Sequence, residues 1–174
     1  MVQGLFLLLY YEIKGLNEVG LDTYLVKIKE SENINDYFCS WRKCYGIDAW
    51  LNFKSVKYND YIEFDCSILK PIIKKMSLFI KKLINELLKL NYIEEDEKKE
   101  IGIEDLRLLL CSIEATKPKV YNKLENYLVS FNIDNLNIDA FKDSIWGSLD
   151  TFLITYINFK KAINYNKLYL VSSF

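Results

Sequence analysis

The sequence predicts an α+β fold: an N-terminal antiparallel sheet of about four strands with one short helix inserted, packed against about four C-terminal helices. Three observations carry that expectation. Apolar residues mostly alternate with polar ones through residue 67, the period of a half-buried strand. Beyond it they recur at steps of three and four, the period of a helix with one apolar stripe. And 174 residues, 51% of them hydrophobic, with a formal charge of only −1, are enough to close a single core spanning 1–174, mainly β over 1–67 and mainly α over 68–174.

Each element follows from a local pattern. Leu5 to Ile13 is a nearly continuous apolar run suited to a central strand. After the turn KGLNEVG, Leu21 to Lys29 alternates, with Tyr24, Val26 and Ile28 expected inward and Lys27 and Lys29 outward. Ile34, Phe38, Trp41 and Tyr45 then recur at helical spacing between a capping Asn33 and a terminating Gly46, which predicts the short inserted helix. Ile47 to Lys57 returns to period two, with Ala49, Leu51 and Phe53 on one face, and a turn at Tyr58-Asn59-Asp60 leads into Tyr61 to Ser67, where Ile62, Phe64 and Cys66 repeat the inward set.

The helical half begins with the clearest pattern in the chain. Leu69, Ile72, Ile73, Met76, Phe79, Ile80, Leu83, Ile84 and Leu87 share one arc, and Pro71 falls in the first turn, where its missing N–H is tolerated. Opposite them lie Lys70, Lys74, Lys75, Lys81, Lys82 and Lys89, with Leu78 as the one apolar intruder. A solvated acidic connection at Glu94–Glu97 precedes a helix from about Ile103 to Ala115. Thr116 is placed to cap another near Lys117-Pro118, which buries Tyr121, Leu124, Leu128 and Phe131. Past a loop at 132–137, the steps from Ile138 to Ile163 predict a last helix, weakened at Gly147, and Leu168 to Val171 can form a final strand returning to the sheet.

Composition narrows the function classes. Histidine is absent, which removes the usual base of serine and cysteine nucleophiles and a common zinc ligand. Ile, Asn, Lys and Tyr, all read from A/T-rich codons, make 69 of 174 residues, pointing to a low-G+C genome or a mobile element. Arg42 and Arg107 are the only arginines, too few for sequence-specific reading of DNA. Cys39, Cys44, Cys66 and Cys111 have no metal-type spacing and read as reduced, mostly buried thiols. The scattered glycines make no phosphate-cradling loop, and with no metal-type cysteine spacing and no histidine neither a cofactor nor a metal is expected. No signal peptide or transmembrane segment is expected either, because Met1 to Tyr11 lacks a basic start and no run reaches about 20 apolar residues; a cytoplasmic location follows.

Three functional expectations remain. The leading one is a small protein-binding protein that occludes a partner, as an immunity protein or inhibitor of a toxin or nuclease does. Its contact residues would be Trp50, Tyr61, Glu63 and Asp65, expected together on an outer sheet face near Lys54, and the acidic Glu94, Glu95, Asp96 and Glu97. The alternative is an accessory protein touching nucleic acid or anionic membrane through Lys70, Lys74, Lys75, Lys81, Lys82 and Lys89; segment 68–93 carries +5 while each flank carries −3. Third comes a carboxylate-dependent enzyme built on Glu63 and Asp65, which needs them in a cleft with separated pKa values.

Overall fold

A computed structural model describes residues 22–27, 36–42, 44–58, 61–129 and 148–173. The expected strand at Leu5–Ile13, the positions Ile28, Lys29, Asn33 and Ile34, the turn residues Asn59 and Asp60, Phe131, the loop 132–137 and the helical steps before Ser148 lie outside them. The α+β expectation holds. The described elements are β1 (Asp22–Lys27), β2 (Asp36–Arg42), α1 (Tyr45–Lys54), β3 (Val56–Tyr58), β4 (Tyr61–Asp65), α2 (Leu69–Lys89), α3 (Glu97–Glu100), α4 (Ile103–Thr116), α5 (Pro118–Val129), α6 (Leu149–Ala162) and β5 (Lys167–Ser173).

All pairings in the five-stranded sheet are antiparallel, in the order β2-β1-β5-β4-β3. The final strand therefore sits in the middle. Leu170 lies opposite Leu25 on one side and Ile62 on the other, and Leu168 lies opposite Phe64. Leu25, Leu168, Leu170 and Phe64 all belong to the core. A backbone bond from Cys66 N–H to the Asn166 carbonyl (3.1 Å) carries the β4–β5 pairing one step further.

The elements around Trp41 and Trp50 correct the sequence reading. Asp36–Arg42 is a strand where a helix is expected, and Tyr45–Lys54 is a helix where a strand is expected. Both windows are short enough for their apolar residues to satisfy either period. In β2, Cys39 and Trp41 are buried while Ser40 and Arg42 are exposed, and its aromatic residues favour a pleated surface. In α1 the buried set is Ile47, Trp50 and Leu51, a helical step of three and four, whereas Phe53 is 59% exposed. Gly46 sits inside the first turn of α1 and terminates nothing.

Inward parity on β1 is corrected too. Thr23 and Leu25 face the helices; Val26 is fully buried and Lys27 exposed, as expected, but Val26 lies off the main core cluster. The register slips between Leu25 and Val26, where Leu25 pairs with Cys39 and Val26 with Tyr37, a bulge that the alternation does not disclose. Thr116 does not cap α5, since its hydroxyl donates to the Ser112 carbonyl at 2.7 Å.

Helices α1 and α6 lie over the sheet, and α2, α4 and α5 build outward from α6. Polar contacts orient the two inner helices. The Asp48 carboxylate in the first turn of α1 accepts from the Thr23 hydroxyl (2.7 Å), the Ser172 hydroxyl (3.0 Å) and the Asn52 amide (3.2 Å), tying the helix to β1 and β5. Trp41 Nε1 donates to the buried Thr155 hydroxyl (2.9 Å), and Asn158 donates to the Ser40 carbonyl (2.9 Å), fixing α6 on β2. Trp41 and Trp50 both pack on Phe159, at 6.0 and 5.7 Å between ring centres.

Leu170→Ala is expected to cost about 2–5 kcal/mol, because it opens the centre of the sheet. Asp48→Ala should cost about 1.5–3 kcal/mol through lost charge-assisted bonds. Val56→Ala, at a position 68% exposed, should stay within about 0.5 kcal/mol. Urea midpoints of the three variants check this ordering.

Candidate functional site

The candidate surface is the outer face of α2, which carries six exposed lysines. Its geometry starts just before the helix, where Asp65 accepts from Ser67 N–H at 2.8 Å and caps a short 3-10 turn at Cys66–Ile68. That bond to the Ser67 amide holds the Asp65 carboxyl below its ordinary range. Leu69, Ile72, Met76, Phe79, Ile80, Leu83 and Leu87 are then buried, as the spacing predicts, and Phe79 packs on Phe152 of α6 at 4.8 Å. Past the end of the helix at Lys89, Asn91 takes the left-handed conformation (φ 57°), with Tyr92 N–H reaching back to the Leu87 carbonyl.

One face of α2 is thus fastened into the core and the opposite one is left to water. Lys70, Lys74, Lys75, Lys81, Lys82 and Lys89 are all exposed. Only Lys89 has an ion-pair partner among the described residues: Glu86, at 2.6 Å, which holds the ammonium above its usual range. Glu86 is also the only acid on the helix. Leu78, 53% exposed, has Lys74, Lys75, Lys81 and Lys82 at all four neighbouring helical positions, three and four residues away on either side.

The expected partner-binding set does not assemble. Trp50 is 2% exposed and inside the core, because α1 is a helix; its Nε1 has no hydrogen-bond partner among the described residues. Tyr61 opposes Tyr58 in the β3–β4 pairing. Glu63 and Asp65 do share the outer sheet face, but the cation beside Glu63 is Lys167 at 2.7 Å. Lys54, expected there, stands at the end of α1 with its ammonium over the Phe53 ring. Glu94, Glu95, Asp96 and Glu97 are exposed, as expected for a solvated turn. Much of their bonding capacity is used locally: Glu97 accepts from Glu94 N–H (2.7 Å), Asp96 from Glu97 N–H (3.1 Å), and Glu95 pairs with Lys98 (3.2 Å).

A cleft of about 460 Å³ opens between β2, α4 and α6, a feature the sequence reading missed. Arg107 spans it, donating to both Asp150 oxygens (2.7 and 3.3 Å) and to Glu104 (2.8 Å), so the guanidinium clamps α4 to the first turn of α6. Cys44 also lines the cleft, but burial raises its thiol and nearby Asp150 adds to the effect. That is the opposite of what a nucleophilic cysteine needs. The scarcity of arginine was the signal available: one of only two holds this seam. Neither Glu63 nor Asp65 lines this cleft.

Among the described residues no group of histidine, cysteine or acidic side chains could hold a metal ion, and no helix is long and apolar enough to cross a membrane. Comparison with known proteins finds no matching family model, no matching curated protein and no matching solved structure.

All four cysteines are free. Burial pushes the Cys39 thiol up to about 12 and Cys66 to about 11, whereas Cys111 is exposed. Higher thiol values mean less thiolate at pH 8, so iodoacetamide should label Cys111 first and Cys44 slowly. Cys39 and Cys66 should label only after denaturation, which peptide mass spectrometry would resolve.

Proposed function

We propose that the protein is a binding protein that docks on a polyanionic surface through the outer face of α2. The observation that carries this reading is five exposed lysines, Lys70, Lys74, Lys75, Lys81 and Lys82, in one stripe, none of them ion-paired among the described residues. The contact is one of charge density, since both arginines lie elsewhere: Arg42 is in β2 and Arg107 is locked on Asp150. Such binding releases counterions and weakens steeply with salt.

On heparin the protein should be retained in low salt and elute as salt rises. The quadruple variant Lys74→Glu, Lys75→Glu, Lys81→Glu, Lys82→Glu should pass through unretained with its circular dichroism unchanged. Retention equal to that of the parent chain would refute this reading.

A protein partner, occluded as an immunity protein or inhibitor occludes its target, is the second reading. Its support lies at the outer strand of the described sheet, where β3 carries Val56 at 68% exposure and Phe53 at 59% lies at the adjoining end of α1. Exposed apolar side chains beside an outer strand of the described sheet offer another chain a place to pair. Here one protein should co-purify stoichiometrically from native lysate and be lost on Phe53→Asp with Val56→Lys. Capture of nothing, or of a protein indifferent to both changes, counts against it.

A further inference from the structure

From Leu78 and the four lysines around it, we infer that the polyanion met by α2 is the surface of an anionic lipid bilayer, the helix lying flat on the headgroups with Leu78 dipping between them; this rests on the polyanion reading above. Phosphates alone account for the lysines and leave the leucine unexplained. A nucleic-acid backbone offers Leu78 only charge and water, and the α2 ridge has no arginine or aromatic side chain with which to grip a base. A headgroup layer offers both partners at once: anionic phosphates and carboxylates for the ammonium groups, and acyl carbon just beneath for an isobutyl group.

The geometry fits a plane. Lys70 to Lys82 spans about 18 Å along the axis at 1.5 Å per residue, and the exposed positions lie on a single side of a helix whose other side is fastened into the core. Lysines on such a ridge reach the plane together, with their hydrocarbon stems against the interface and their ammonium groups among the phosphates. Each is worth roughly five-fold in affinity for an anionic leaflet. Attachment is therefore peripheral and reversible, governed by the charge of the leaflet and the ionic strength.

Sedimentation with vesicles tests this directly, using phosphatidylcholine alone and phosphatidylcholine with phosphatidylserine at 7:3 in 0.15 M salt. The protein should pellet only with the anionic vesicles, and the quadruple charge reversal should lower its affinity at least 100-fold. Leu78→Ser should weaken vesicle binding about ten-fold while leaving elution from heparin unchanged. Leu78→Trp should bind, and its added emission should be quenched by brominated acyl chains. Retention on heparin without vesicle binding, or vesicle binding indifferent to Leu78→Ser, would overturn the lipid assignment while the polyanion reading stands. Loss of both heparin and vesicle binding in the parent chain would end both.

Discussion

Hydrogen bonding along both edges of β5 is the constraint on which the rest of the molecule depends. β1–β2 and β3–β4 are separate antiparallel pairs from the first part of the chain, and neither bonds to the other. Among the described strands only β5 joins them, and it is the last described element in sequence. The α6–β5 segment supplies both the middle strand and the helix that covers β2, so one stretch of chain closes the sheet and roofs it. Trp41, Trp50 and Phe159 meet at that roof, bringing β2, α1 and α6 into one aromatic cluster.

This arrangement determines what α2 can do. Its apolar stripe faces the core and α6, so that side is not available to another molecule. What remains is a rigid outer ridge whose side chains can bend but whose backbone is held in place. A contact made through it costs little ordering of the chain, unlike a basic segment that must first become helical. The Arg107 clamp between α4 and α6 steadies the other side of the helical layer, with its charges satisfying one another rather than facing a ligand.

Long elements with a single period were legible in the sequence. The stripe of α2, the apolar faces of α4 and α5, buried Phe64 in β4 and the strand now seen as β5 all stand where the spacing predicts them, whereas Ile62, expected inward, is exposed. Over Asp36 to Lys54, Phe38, Trp41 and Tyr45 mimic a helix while Ala49, Leu51 and Phe53 mimic a strand; packing against α6 and β4 decides between the periods, and no local window contains that information. The same ambiguity is why strand alternation points Trp50 outward while the helix buries it. The place of β5 in the sheet was hidden for another reason: adjacency in sequence suggests hairpins, whereas the pairing of β1 and β4 with a distant strand depends on the whole chain. The lysines needed only helical geometry to be found, and Leu78 at their centre follows from the same arithmetic.

Because β5 follows every other described element, assembly during translation has a fixed order. Until Lys167–Ser173 leaves the ribosome, the facing edges of β1 and β4 have no strand between them, and Leu25 and Phe64 lack the leucines they pack against. Strand edges that wait for a distant partner are the ones on which a neighbouring copy can pair.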